Sequence, residues 1–259
     1  MGRVLEILKT NNKKADDQRK QKPYLLRYKK PEFEVVDHYR HLCQLNRIYW
    51  MLEQKLQQAN YGEFNDAFPE LLNQYTKIGH DISFLDNKRN AQVKKQYQYG
   101  EATVAYVMYL RSLDMNKPKD VKILFAHFLV RILSDLFDDQ EMKANLNRLY
   151  QKQNVLDRHS EKGVMFYTVP NGELEKLSKW LDENLSPEVL DKTFLDASIS
   201  AIKYHENILH ELEKTRVSPM MRKMCTFFGD ADNQRKIGMA AGMVVAAAVG
   251  TAVVLTKVM

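Results

Sequence analysis

The sequence predicts an all-α protein, and three observations carry that prediction. Apolar residues recur at helical spacing, as in Leu129, Ile132, Leu133 and Leu136. Before the C-terminal tail, glycine and proline are sparse while leucine, lysine and glutamine are common, a mixture that favours helix. No stretch alternates apolar and polar residues for long enough to make a sheet.

The periodicity places helices at about 3–22, 32–59, 64–78, 101–114, 119–136, 139–153, 172–184 and 187–214. Asp66, Ser186 with Pro187 and Glu188, and Asn171 before Gly172 are the expected helix starts. Tyr28–Pro31 and Asn116–Pro118 read as breaks, because a residue before proline is pushed out of the helical region. The chain contains no internal repeat. Its 259 residues suit one domain with additions: a helical domain over 1–214, a linker over 215–236 and a terminal segment over 237–257.

Net charge is +6 and uneven. Lys9, Lys13, Lys14, Arg19, Lys20, Lys22, Arg27, Lys29 and Lys30 crowd the first helix and the short segment after it. Such a stripe suits acidic head groups or a solvated helix face. No interleaved aromatics or nucleic-acid motif accompany it, so nucleic acid is not an expected partner. Cys43 and Cys225 stand far apart, which implies a reducing compartment and no metal cluster. No apolar leader precedes the first helix.

The tail carries the clearest partner signal. Ile237 to Thr256 contains no charged residue, and roughly 20 residues at about 1.5 Å each span about 30 Å, a bilayer core. Arg235 and Lys236 flank it upstream, which leaves the helical domain in the cytoplasm. Endoplasmic reticulum or outer mitochondrial membrane is the expected location in a eukaryote. Gly238 and Gly242, extended by Ala246 and Gly250, offer a small-residue face for a homodimer. Upstream, Met220, Met221, Met224, Phe227 and Phe228 form a short amphipathic piece that either rests on the membrane or packs on the domain.

One stretch is more specific than the rest. In Ala126–Gln140, AHFLVRILSDLFDDQ, Arg131, Asp135 and Asp138 share a face apart from the leucines, and Arg131 with Asp135 has the spacing of an internal pair. The stretch resembles the distal helix of the heme oxygenases, roughly AHxYxRYLGDLSGGQ. Ala126, His127, Arg131, Leu133, Asp135, Leu136 and Gln140 match; Ser134, Asp138 and Asp139 replace family glycines. Ile7–Asp16, Leu45–Leu56, Gly163–Pro170 and Leu185–Lys214 resemble further family segments in the right order, so the resemblance covers about residues 5–214.

The resemblance implies a single heme-oxygenase-like helical domain, here with a C-terminal transmembrane helix. It implies heme held between the first helix and the distal helix. Lys9 matches a lysine that contacts a propionate, and Phe166 falls within the matched GVMFYTVP segment. Asp16 stands where the iron-binding histidine is expected. Asp135, with Arg131, matches the distal water-organising network, while Ser134 and Asp138 put side chains where the family keeps bare backbone. Later basic propionate positions fall at about Ser178 and Asp182. His38, His41, His205 and His210 read as core or surface histidines, the last two as surface ones.

Two functions are compatible with these residues. One is a tail-anchored, heme-oxygenase-like pseudoenzyme that serves as a binding or scaffolding module. The other is a divergent enzyme that cleaves heme to biliverdin, iron and carbon monoxide with electrons from a membrane-bound reductase. A bilin or another hydrophobic ligand is a third occupant for the same pocket. No HExxH, Walker loop, GxSxG or zinc spacing points to other chemistry.

Overall fold

In a computed structural model, residues 2–28, 30, 33–59, 62–87, 99–137, 140–152, 163–186 and 188–214 are described. The chain divides into one unit, Met1–Lys214, and a second, Thr215–Met259. The second unit lies outside the described residues, and with it the amphipathic piece, the expected membrane span, Gly238 and Gly242. Among the described residues no helix is long and apolar enough to cross a membrane.

The described part is helical, with no strand among its residues. In order it forms α1 (Arg3–Lys20), α2 (Pro23–Arg27), α3 (Val35–Gln58), α4 (Gly62–Ala67), α5 (Gln74–Asn87), α6 (Glu101–Ser112) and α7 (Pro118–Ile132). A π-helical turn (Leu133–Phe137) continues α7, followed by α8 (Gln140–Lys152), a short 3₁₀ turn (Met165–Tyr167), α9 (Glu173–Asn184) and α10 (Lys192–Lys214). Helix α3 packs against α5, α6 and α7, while α10 packs against α1, α2, α6 and α7. Of the four periodic apolar residues, Leu129, Ile132 and Leu136 are buried and Leu133 is half-buried against the core.

Three expected boundaries move. The helix expected over 64–78 is two helices. Pro69 has no amide hydrogen and restricts Phe68, so α4 ends at Ala67 and the chain turns through hydrogen bonds from Leu71 N to Phe68 O and from Leu72 N to Pro69 O. Asp66 therefore lies inside α4 instead of starting a helix. Likewise α10 starts at Lys192, not 187. Asp191 caps it, accepting from the Phe194 amide at 3.0 Å, while Ser186 accepts the turn bond from Val189 N. Ahead of α9 the cap position is Gly172 and not Asn171; its φ of +80° suits a residue without Cβ.

The start of α1 is held from the far end of the domain. Its first amide hydrogens have no partner within the helix. Ser178 Oγ accepts from Gly2 N at 2.8 Å, and the Asp182 carboxylate accepts from Arg3 N at 2.9 Å and Val4 N at 2.8 Å. A carboxylate at a helix N-terminus also complements its dipole. The two positions that the resemblance assigns to propionate contacts thus cap α1 here.

Candidate functional site

The distal helix brings the first part of the site. At Leu133 the α7 helix widens into the π turn, so Ser134 and Asp135 lie on an irregular segment made without glycine. Ser134 is buried, and Asp138 lies outside the described residues. Arg131 and Asp135 form the pair their spacing suggests, at 1% and 3% side-chain exposure. Tyr49 of α3 donates to the same carboxylate oxygen at 2.9 Å. Burial lifts the Asp135 carboxyl above its ordinary range, although Arg131, Arg19 and the Tyr49 bond each pull it down. Burial, and then Asp135 itself, keeps the Tyr49 hydroxyl protonated and so a donor.

Helix α1 brings the second part. Asp16 Oδ1 accepts from Arg19 Nε at 2.9 Å, and Oδ2 pairs with Lys20 Nζ at 2.6 Å. The Arg19 side chain is fully buried, whereas Asp16 keeps 18% of its surface exposed. Burial raises the Asp16 carboxyl, but Arg19 and Lys20 outweigh it and hold the group below its ordinary value. Arg19 also acts electrostatically on Asp135, His41 and His205, so α1 delivers a guanidinium to the same interior as the distal pair. Around it, Asn12 Oδ1 accepts from Ser198 Oγ of α10 at 2.7 Å, and Ala15 joins Val130, Ala201 and Ile202 in one apolar cluster. Lys9 is exposed.

The third part was not legible as a site. His38, His41, His127 and His205 are all buried. For His205 this corrects the expected surface position: α10 turns it inward, where its ring stacks on His41 with centroids 5.7 Å apart. Tyr28 Oη lies 3.0 Å from His38 Nδ1 and 3.3 Å from His41 Nδ1, and Tyr106 Oη lies 2.9 Å from His127 Nδ1. Burial drives His41 and His205 well below the usual imidazole value, with Arg131 and Arg19 adding to it, and takes His127 down to about 3. These rings are neutral at pH 7, and His41 Nε2 and both His205 ring nitrogens have no hydrogen-bond partner among the described residues.

Phe166 is buried in the 3₁₀ turn, edge-on to Tyr49 at 5.4 Å between centroids. The Asp81 carboxylate fixes that turn, accepting from Met165 N at 3.0 Å and Phe166 N at 2.9 Å; burial still pushes Asp81 up to about 6. Phe166 thereby packs on the residue that holds Asp135. Among the described residues no group of three or more histidine, cysteine, aspartate or glutamate side chains could hold a metal ion.

This helical arrangement is that of the heme oxygenases. Heme oxygenase from Leptospira interrogans superimposes with a TM-score of 0.65 at 22% identity, covering 80% of this chain and 98% of that one. Heme oxygenase-2 of Synechocystis sp. PCC 6803, solved with heme and NO, gives 0.65 at 20% identity over 81% of this chain and 84% of its own. Heme oxygenase-1 of the same cyanobacterium, solved with heme, gives 0.63 at 18% identity over 93% and 98%. At these identities the likeness establishes a heme-oxygenase-like fold. No family model and no curated protein matches the chain.

These charges set two expected outcomes. Arg131→Met leaves Asp135 buried without its cation and is expected to cost about 3–5 kcal/mol in chemical denaturation, most of it recovered when Asp135→Leu is added. The second concerns acid. The folded value of His127 lies below its unfolded value, so its contribution is full above about pH 6.5 and is lost as pH falls towards 3. His127→Asn should therefore flatten the fall in stability between pH 6.5 and 4 relative to the parent chain.

Proposed function

We propose that this chain keeps a heme-oxygenase-like fold as a tail-anchored binding or scaffolding module and does not open heme. The observation that carries this reading is the commitment of Asp16 to Arg19 and Lys20, with Arg19 wholly buried. Iron in this fold class needs an axial donor, for which neutral imidazole is well suited. Where the resemblance expects that imidazole, the chain has a carboxylate already neutralised by two cations. Removing it from them would leave the Arg19 guanidinium buried without this counterion, at a cost of several kcal/mol. The residues at this position therefore do not fit an iron ligand. Anchoring through Ile237–Thr256, with the helical domain on the cytoplasmic side and pairing through Gly238 and Gly242, belongs to the same proposal.

A second reading, an active divergent heme oxygenase served by a membrane-bound reductase, has one observation in its favour. Asp135 is retained, held by Arg131 and Tyr49. In that reading heme would supply the redox chemistry, and Asp135 would orient water. The two readings separate on a heme titration of the full chain followed by reductant and oxygen. The proposal expects no sharp Soret band at micromolar heme in a protein that remains helical by circular dichroism. A sharp band that bleaches to a biliverdin spectrum would overturn it. Asp16→His combined with Arg19→Ala should raise heme affinity by roughly tenfold or more, the gain of about one good interaction.

A further inference from the structure

A concave site lies between α3 and α6, and neither Arg131 nor Asp135 lines it. Its volume is about 570 Å³, within the range of small-molecule sites. Three features define its chemistry. The first is charge. Arg47, Lys55 and Arg111 line it, and no carboxylate does among the described residues. Glu53, on the same helix, is turned elsewhere and accepts from Tyr75 N at 2.8 Å. Arg47 sits over the Trp50 ring at 4.5 Å and the Tyr99 ring at 5.8 Å, so aromatic faces position the guanidinium and an acid is not needed to do so. Lys55 is steadied by the Leu113 carbonyl at 2.7 Å.

The second feature is apolar surface. Val104 and Met108, one helical turn apart on α6, are 49% and 57% exposed, and Tyr99 is 50% exposed. The third is an orphan. Thr103 lines the groove with no exposed surface, yet its Oγ1 has no hydrogen-bond partner among the described residues. A helical threonine ordinarily bonds a carbonyl of the preceding turn. Left unmade, such a bond carries a desolvation cost that an acceptor brought by a ligand would recover.

We infer that this groove binds an amphipathic organic anion, its apolar body against Val104, Met108 and Trp50 and its charged end among Arg47, Lys55 and Arg111. The concavity and the buried hydroxyl favour a small molecule over a flat lipid surface, and a described lining with three cations and no acid favours an anion over a cation or a neutral lipid. The inference is independent of what the chain does with heme.

Trp50 reports on the groove directly. The chain has two tryptophans, and the other, Trp180, packs on Phe64 at 5.1 Å and Phe68 at 5.9 Å, so Trp180→Phe isolates the signal. The full chain carrying that change is titrated with dodecanoate and, in parallel, dodecyltrimethylammonium. Dodecanoate should give a saturable change in Trp50 emission that the cation does not. Arg47→Glu with Arg111→Glu should weaken it by roughly tenfold or more, as expected for lost charge-assisted contacts. Thr103→Val should weaken it too while leaving the unliganded protein as stable or more so. An equal response to the cationic amphiphile, or no saturable response, overturns the inference. So does quenching of Trp50 emission by brominated phosphatidylglycerol vesicles that the same charge reversal abolishes while dodecanoate leaves Trp50 unchanged, for that outcome describes a bilayer-docking face. Failure of the heme reading would register in the Soret region and leave these results untouched.

Discussion

A charge taken out of water must find a partner or lose its proton, and the interior of this domain is arranged around that requirement. Among the buried arginines, Arg19 of α1 and Arg131 of α7 have almost no exposed surface. An arginine cannot shed its proton, so each fixes the state of its surroundings. Arg131 keeps Asp135 as a partner and Tyr49 as a donor to it. Arg19 occupies Asp16. With both cations in place, His41 and His205 stay neutral, because a third positive charge there would be repelled as well as desolvated. Arg19, which pairs with Asp16, thus also acts on His41 of α3 and His205 of α10.

The same arrangement separates fold from chemistry. The distal segment widens into a π turn even though Ser134 stands where a glycine is expected, so the irregular backbone survives the loss of the residue that most easily permits it. Ser178 and Asp182, placed where basic groups would meet propionates, instead hold the first amides of α1. Positions tied to heme by resemblance thus carry structural work in this chain. The cationic groove between α3 and α6 lies on a different face of α3 from the one that presents Tyr49 to Asp135, so the fold can hold a ligand without using its central interior.

Much of this was legible from the chain alone, and the exceptions share a cause. Helical periodicity located the main helices, and the spacing of Arg131 and Asp135 announced their pair, because both signals act within one or two turns. The break at Pro69 was also written in the sequence, but the apolar pattern on either side of it masked the stop. What could not be read was long-range. Tyr49 reaches Asp135 across 86 positions and Asp182 reaches Val4 across 178. His205 looks like one more polar residue on an amphipathic helix, and only the packing of α10 against its neighbours turns it inward onto His41. Arg19 reads as part of a basic stripe, and nothing in its local sequence marks it as wholly buried.

Asp16 is held by Arg19 and Lys20, and carboxyl-detected NMR of the full chain measures this directly. The Asp16 side-chain carbon is followed through a pH titration, with and without added ferric heme. The expected result is an apparent pKa below the ordinary aspartate value, moved upward by Arg19→Ala, and a resonance that ferric heme neither shifts nor broadens. An ordinary or raised value would contradict that pairing, and paramagnetic broadening of Asp16 by the iron would place this carboxylate beside bound heme.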